Sequence, residues 1–183
     1  MTRDDAAQRT LVILLRGVNV NGITVTSKAL RGAMLALDGV RAARTLLASG
    51  NVVVSTDRGA DEVKRAAEER LRADFGYDAW VVVVDRAELA GVLEATPWSD
   101  DDPNRHVYLT FASDPAALDE VAGLAPEGAQ VARPASGVLA WTCPVGASTT
   151  DPMARLLARP RYRATTTTRN LRTVLRLATL DAG

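Results

Sequence analysis

The order in which apolar runs and amphipathic segments alternate constrains this chain more than any single motif. Thr10 to Leu15 is an apolar, partly β-branched run that ends in Gly and Asn signals, and it reads as a strand buried on both faces. Ser27 can cap a helix in which Leu30, Ala33, Met34 and Leu37 fall on one side, with Asp38-Gly39 as the stop. Two extended stretches follow, Val40 to Leu47 and Asn51 to Ser55, joined by Ala48-Ser49-Gly50 with glycine at the expected positive-φ position. Asp61 and Glu62 favour the start of a second helix, Val63, Ala67, Leu71 and Phe75 recur along one side, and Gly76 is its expected C-cap. Ala79 to Val84 is again a strand. Strand, helix, strand, strand, helix, strand is the ferredoxin-like split βαβ order, a four-stranded antiparallel sheet with two helices on one face.

The second half starts over. A short helix from Asp85 to Glu94 leads to Thr96-Pro97-Trp98 and the acidic Ser99 to Asp102, which break the periodicity. Beyond them come a strand (His106 to Phe111), a helix (Asp114 to Ala122) and two extended stretches (Gln130 to Ala132, Val138 to Thr142). A helix (Pro152 to Ala158), a short strand (Ala164 to Thr167) and a closing helix (Arg169 to Thr179) complete the order. The halves share element order without visible residue similarity. The expectation is an α+β protein of two ferredoxin-like halves with antiparallel sheets and helices packed on one face, residues 1–97 and 98–183.

Charge and composition exclude several functions. The 22 basic residues balance 22 acidic ones, so no global field would hold a polyanion or an acidic membrane surface, and nucleic acid is a poor partner. Central-strand aromatics for base stacking are missing too, since the third strand reads Asn51-Val52-Val53-Val54-Ser55. Lysine occurs only as Lys28 and Lys64, which leaves arginine, with its planar fork, as the main cation. Cys143 is the single cysteine, which rules out an internal disulfide and a multi-cysteine metal cluster, and His106 is the single histidine, with no second His or Cys nearby to argue for a metal ligand or a catalytic triad. Both read as structural or inert. Asp100, Asp101 and Asp102 read as a solvated interdomain loop, and no cofactor is expected. The polar start and the short Leu11 to Leu15 run offer no signal peptide or membrane span, so the cytoplasm is the expected location.

Three polar signatures stand at strand ends: Arg16-Gly17-Val18-Asn19-Val20-Asn21-Gly22, Ser49-Gly50-Asn51 and Thr166-Thr167-Thr168-Arg169-Asn170. Gly17 to Thr24 keeps the two glycines of a phosphate-binding P-loop, but Ile23 stands where the lysine is needed, which argues against a nucleoside triphosphatase. The loop can still form an anion-binding nest of N–H groups, or simply a turn. Ser49-Gly50-Asn51 has turn chemistry of its own. In the closing helix Leu171, Val174, Leu175 and Ala178 form an apolar face and Arg169, Arg172 and Arg176 a basic one. Threonine hydroxyls at its N-terminus beside a guanidinium would suit an anion, and a capped amphipathic helix would look the same.

In that order and spacing, the three signatures resemble a bacterial family known as domain of unknown function 1697, across nearly the whole chain. Relatives commonly read Arg-Gly-Ile-Asn-Val-Gly-Gly in the first loop, where Asn21 here replaces a glycine. Relatives usually have Trp at the position of Leu171, and many have a Ser-Lys pair where this chain has Ser148-Thr149-Thr150-Asp151. The resemblance implies no reaction. Its polar signatures nominate a small anionic ligand, phosphate-bearing or nucleotide-like, at Arg16, Gly17, Asn19, Gly22, Ser49, Asn51, Thr167, Thr168, Arg169 and Asn170. The alternatives are an enzyme of unknown reaction on such a ligand, for which no nucleophile or general base can be named, and a structural or protein-interaction module, as a homodimer for example.

Overall fold

A computed structural model describes residues 8–16, 25–47, 50–76 and 78–183. Its chain divides into two compact units, one running up to Arg86 and joined by Leu180–Gly183, the other spanning Ala87–Thr179.

The first unit contains β1 (Arg9–Arg16), α1 (Ser27–Leu35), β2 (Val40–Thr45), β3 (Asn51–Thr56), α2 (Ala60–Phe75) and β4 (Trp80–Asp85). Its sheet has the order β2-β3-β1-β4, with every neighbouring pair antiparallel. That is the split βαβ topology expected from the element order. Alternate residues of each strand meet the helices: Leu11, Ile13 and Leu15 of β1, Val52 and Val54 of β3 and Val81 of β4 pack with Leu30 and Met34 of α1 and Val63, Ala67 and Leu71 of α2. Residues of the opposite face, Val12, Leu14 and Val53, are also at most 1% exposed, as a continuous apolar run requires. Burying each such aliphatic side chain contributes about 1.5–3 kcal/mol.

Local signals set the helix ends. The cap of α1 is Thr26 rather than Ser27: its hydroxyl accepts from Ala29 N at 3.1 Å, and Ser27 is already helical. For α2, Glu62 Oε2 accepts from Gly59 N at 3.1 Å, and Gly76 ends the helix in the left-handed region at φ +68°. β2 stops at Thr45, two residues short of the expected end, because Leu47 turns into the left-handed region (φ +59°).

The second unit contains α3 (Glu88–Glu94), β5 (Arg105–Ala112), α4 (Pro115–Gly123), β6 (Val131–Ala135), β7 (Val138–Pro144), α5 (Pro152–Leu157), α6 (Pro160–Arg163), β8 (Thr166–Asn170) and α7 (Leu171–Thr179). The sheet order is β6-β7-β5-β8, again antiparallel, so the topology of the first unit is repeated. Pro134 is tolerated because β6 is an edge strand with a register shift beside it. Trp141, Leu139 and Cys143 of β7 pack with Leu118, Val121, Met153, Leu156 and Tyr162. Trp141 is thus a central core residue.

The last strand differs from expectation. Thr166–Asn170 is extended throughout and α7 begins at Leu171, two residues later than its periodicity suggested. Three β-branched threonines paired with β5 outweigh helix propensity there. In α7, Leu171, Val174 and Leu177 are buried while Leu175 is 45% exposed, so Leu177 takes the place the apolar pattern assigned to Leu175.

Candidate functional site

The first two signatures meet at one end of the first sheet. β1 ends at Arg16 and β3 begins at Asn51, and Leu15 N donates to Gly50 O at 2.8 Å, locking the two strand ends together. Leu14 is opposite Asn51 and Arg16 opposite Trp80. By strand alternation Arg16, Asn51 and Trp80 occupy the same sheet face, the one turned away from α1 and α2. Arg16 is half-buried and Asn51 fully buried.

Asn51 is a structural residue first. Its Nδ2 donates to Leu46 O at 3.0 Å and its carbonyl accepts from Leu46 N at 3.0 Å, closing the β2–β3 connection. Gly50 has φ +73°, as its place in the loop predicted. Leu47 is the one described non-glycine residue with positive φ, and its side chain is 49% exposed. A leucine in this region stores strain of about 1–3 kcal/mol, a feature that concentrates at functional sites. Gly17, Asn19, Gly22 and Ser49 lie outside the described residues, and so does the P-loop-like stretch to which the first three belong.

The third signature is divided between two faces of β8. Thr166, Thr168 and Asn170 pair with Ala112, Thr110 and Tyr108. Thr168 Oγ1 and Thr110 Oγ1 are 2.9 Å apart, and Trp141 Nε1 donates to Thr110 Oγ1 at 3.0 Å. Thr166 Oγ1 donates to Tyr162 O at 2.8 Å. Asn170 Oδ1 accepts from Arg172 N at 2.9 Å and so caps α7. On the alternate positions, Arg169 Nη1 donates to Thr167 Oγ1 at 2.7 Å and to Thr168 O at 2.9 Å. These hydroxyls are therefore engaged inside the unit, and the threonines lie along a strand instead of at a helix N-terminus.

Other polar residues have structural explanations. Asp100 pairs with Arg172. His106 stands opposite Cys143 and edge-on to Tyr108, ring centroids 6.3 Å apart. Burial pushes the Cys143 thiol above its ordinary value, Asp151 adds to the effect and Arg105 opposes it, so it is not an activated nucleophile. Among the described residues no group of His, Cys, Asp and Glu could hold a metal ion, and no helix is long and apolar enough to cross a membrane.

One polar cavity escaped the sequence reading. It lies in the second unit, has a volume of about 180 Å³, and is lined by Arg105, Glu127, Gly128, Gln130, Thr142 and Asp151 among others. Nothing in the local sequence announces it, because its residues come from four separate segments.

Fold and register together define a duplicated ferredoxin-like α+β protein. The chain belongs to the family described as protein of unknown function DUF1697, whose model matches residues 9–137. It is similar in structure to the conserved bacterial protein SP0830 from Streptococcus pneumoniae, with a TM-score of 0.75 and 19% sequence identity over 94% of this chain and 98% of that one. At that identity the likeness speaks for the fold alone. Comparison with curated protein sequences found no match.

Proposed function

We propose that this protein binds a small anionic ligand, phosphate-bearing or nucleotide-like, at the sheet end where β1 stops and β3 starts. The observation that carries the reading is the convergence there of Arg16 and Gly50-Asn51, which belong to two distant signatures. A guanidinium half-sunk at the end of an apolar strand acts in a medium less polarisable than water, where a charge-assisted hydrogen bond is stronger. In this reading Arg16 pairs the anion, and Gly17, Asn19, Gly22 and Ser49 supply N–H donors from the adjoining chain. Thr167, Thr168, Arg169 and Asn170 are a second candidate group, in which Arg169 is the cation; their internal hydrogen bonds weigh against it.

The test is thermal stability of the wild type, Arg16→Ala and Arg169→Ala against phosphate, sulfate, nucleotides and sugar phosphates. A ligand that binds only the folded state raises Tm by mass action. The expected result is a ligand-specific rise that is lost in Arg16→Ala and kept in Arg169→Ala. No rise across the panel overturns the reading.

A further inference from the structure

The polar cavity of the second unit has a counterpart in the first. In each unit it lies between the connection from the first helix to the second strand and the connection from the third strand to the following helix. In the first unit the lining includes Leu37, Asp38, Arg58 and Glu62; in the second it includes Glu127, Gly128, Gln130 and Asp151, with Arg105 and Thr142 of the sheet. Both measure about 180 Å³. Since a liquid water takes up about 30 Å³, each has room for a molecule of roughly half a dozen heavy atoms.

Their charges are arranged differently. The arginine of the first cavity is surrounded by its own carboxylates: Arg58 pairs with Asp38, with Asp57 at 3.6 Å and with Glu62 at 4.0 Å. Arg105 makes no ion pair among the described residues. Its Nε and Nη2 both donate to Thr142 Oγ1, at 3.2 and 2.6 Å, and that hydroxyl donates onward to Gln130 Oε1 at 2.7 Å. This relay fixes the plane of the guanidinium and leaves Nη1 without an acceptor among the described residues. Asp151 uses Oδ1 to accept from Met153 N at 2.8 Å and keeps Oδ2 for another donor. Arg105 and Asp151 both line this one small space.

We propose that this cavity binds a small zwitterion of the α-amino acid type, its carboxylate on the Arg105 guanidinium and its ammonium on Asp151, with Glu127 at the rim. The carboxylate of the ligand supplies for Arg105 what Asp38, Asp57 and Glu62 supply for Arg58. A simple anion meets Asp151 and Glu127 as well as Arg105, and a simple cation meets Arg105. A ligand carrying both charges is matched at each end. The cavity belongs to the second unit and uses none of the residues of the β1–β3 site.

The experiment is calorimetric titration and thermal shift of the full chain with glycine, L-alanine and L-serine, beside propionate and n-propylamine as single-charge analogues. The expected result is binding of the amino acids at concentrations up to about 10 mM, with both analogues weaker by about tenfold or more. Arg105→Gln removes the binding. Asp151→Asn keeps an acceptor for Met153 N and therefore the fold, and weakens the amino acids about tenfold while leaving propionate unchanged or improved. Arg16→Ala leaves amino acid binding intact, which separates this proposal from the anion site. The proposal is overturned if no amino acid binds, if propionate binds as well as L-alanine, or if binding survives Asp151→Asn undiminished.

Discussion

The two units are one design carried out with different core chemistry. Strand pairing aligns them position by position: Leu15 N donates to Gly50 O in one, Ala112 N to Gly137 O in the other, at 2.8 and 3.0 Å. From that anchor Ile13 corresponds to Thr110, Val54 to Trp141 and Val83 to Thr168. The first unit has an aliphatic cluster where the second has a tryptophan whose indole N–H enters the core. A buried N–H needs an acceptor, and Thr110 provides it, with Thr168 completing the chain of hydroxyls. One large residue at one position thus accounts for polar residues at two others, on two other strands. The ring itself is stacked on Tyr108, with centroids 4.9 Å apart.

Removing the tryptophan breaks the comparison most severely. Trp141→Ala is expected to cost about 3–5 kcal/mol in urea unfolding, through lost burial and the cavity left behind. Thr110→Val tests the polar half of the argument. It is expected to cost about 1–3 kcal/mol in the wild type by orphaning the indole N–H, and close to nothing in a Trp141→Phe background. Equal costs in both backgrounds would show that Thr110 does not serve the indole.

The corresponding glycines give a smaller, sharper contrast. Gly50 has φ +73°, so Gly50→Ala is expected to cost about 1–2 kcal/mol. Gly137 is not in the left-handed region, and a Cβ there would meet only Ala112 O at 3.6 Å, an ordinary contact. Gly137→Ala should therefore stay within about 0.5 kcal/mol of the wild type.

The smallest effect concerns Cys143, which corresponds to Thr56 in the first unit. Its thiol is raised above the ordinary 9.0, so the folded state favours the protonated form. Well below pH 9.0 the group contributes no pH dependence. As pH climbs past 9.0 the unfolded chain loses its proton first and stability falls. Cys143→Ala should flatten that alkaline decline in Tm scans between pH 7 and 10, whatever its effect at neutral pH.

Much of this was legible in the chain. Continuous apolar strands, helix faces repeating every third or fourth residue and the stops at Asp38-Gly39 and Gly76 specify the split βαβ order in the first half, and a second run of the same element order does so in the other. Local physics dominates there: which face is apolar and where φ must be positive are properties of neighbouring residues. The candidate site was legible only in part. Arg16 and Asn51 were nominated by polar signatures at strand ends, and their meeting required the β1–β3 register. Thr166 and Thr167 were read as strand, but Arg169 and Asn170 were misread as the start of the helix, because a threonine-rich segment has both cap and strand chemistry and pairing with β5 decides between them.

By itself the sequence determined the class of fold, its duplication in element order and the exclusion of an internal disulfide or multi-cysteine cluster, because periodicity, turn residues and residue inventory are local or compositional. Tertiary structure alone decided which hydroxyls are engaged, that Leu177 and not Leu175 is buried, and that Arg105, Gln130, Thr142 and Asp151 face one cavity. Each of those depends on contacts between residues far apart in the chain, and such contacts exist only after strands have chosen their partners and register.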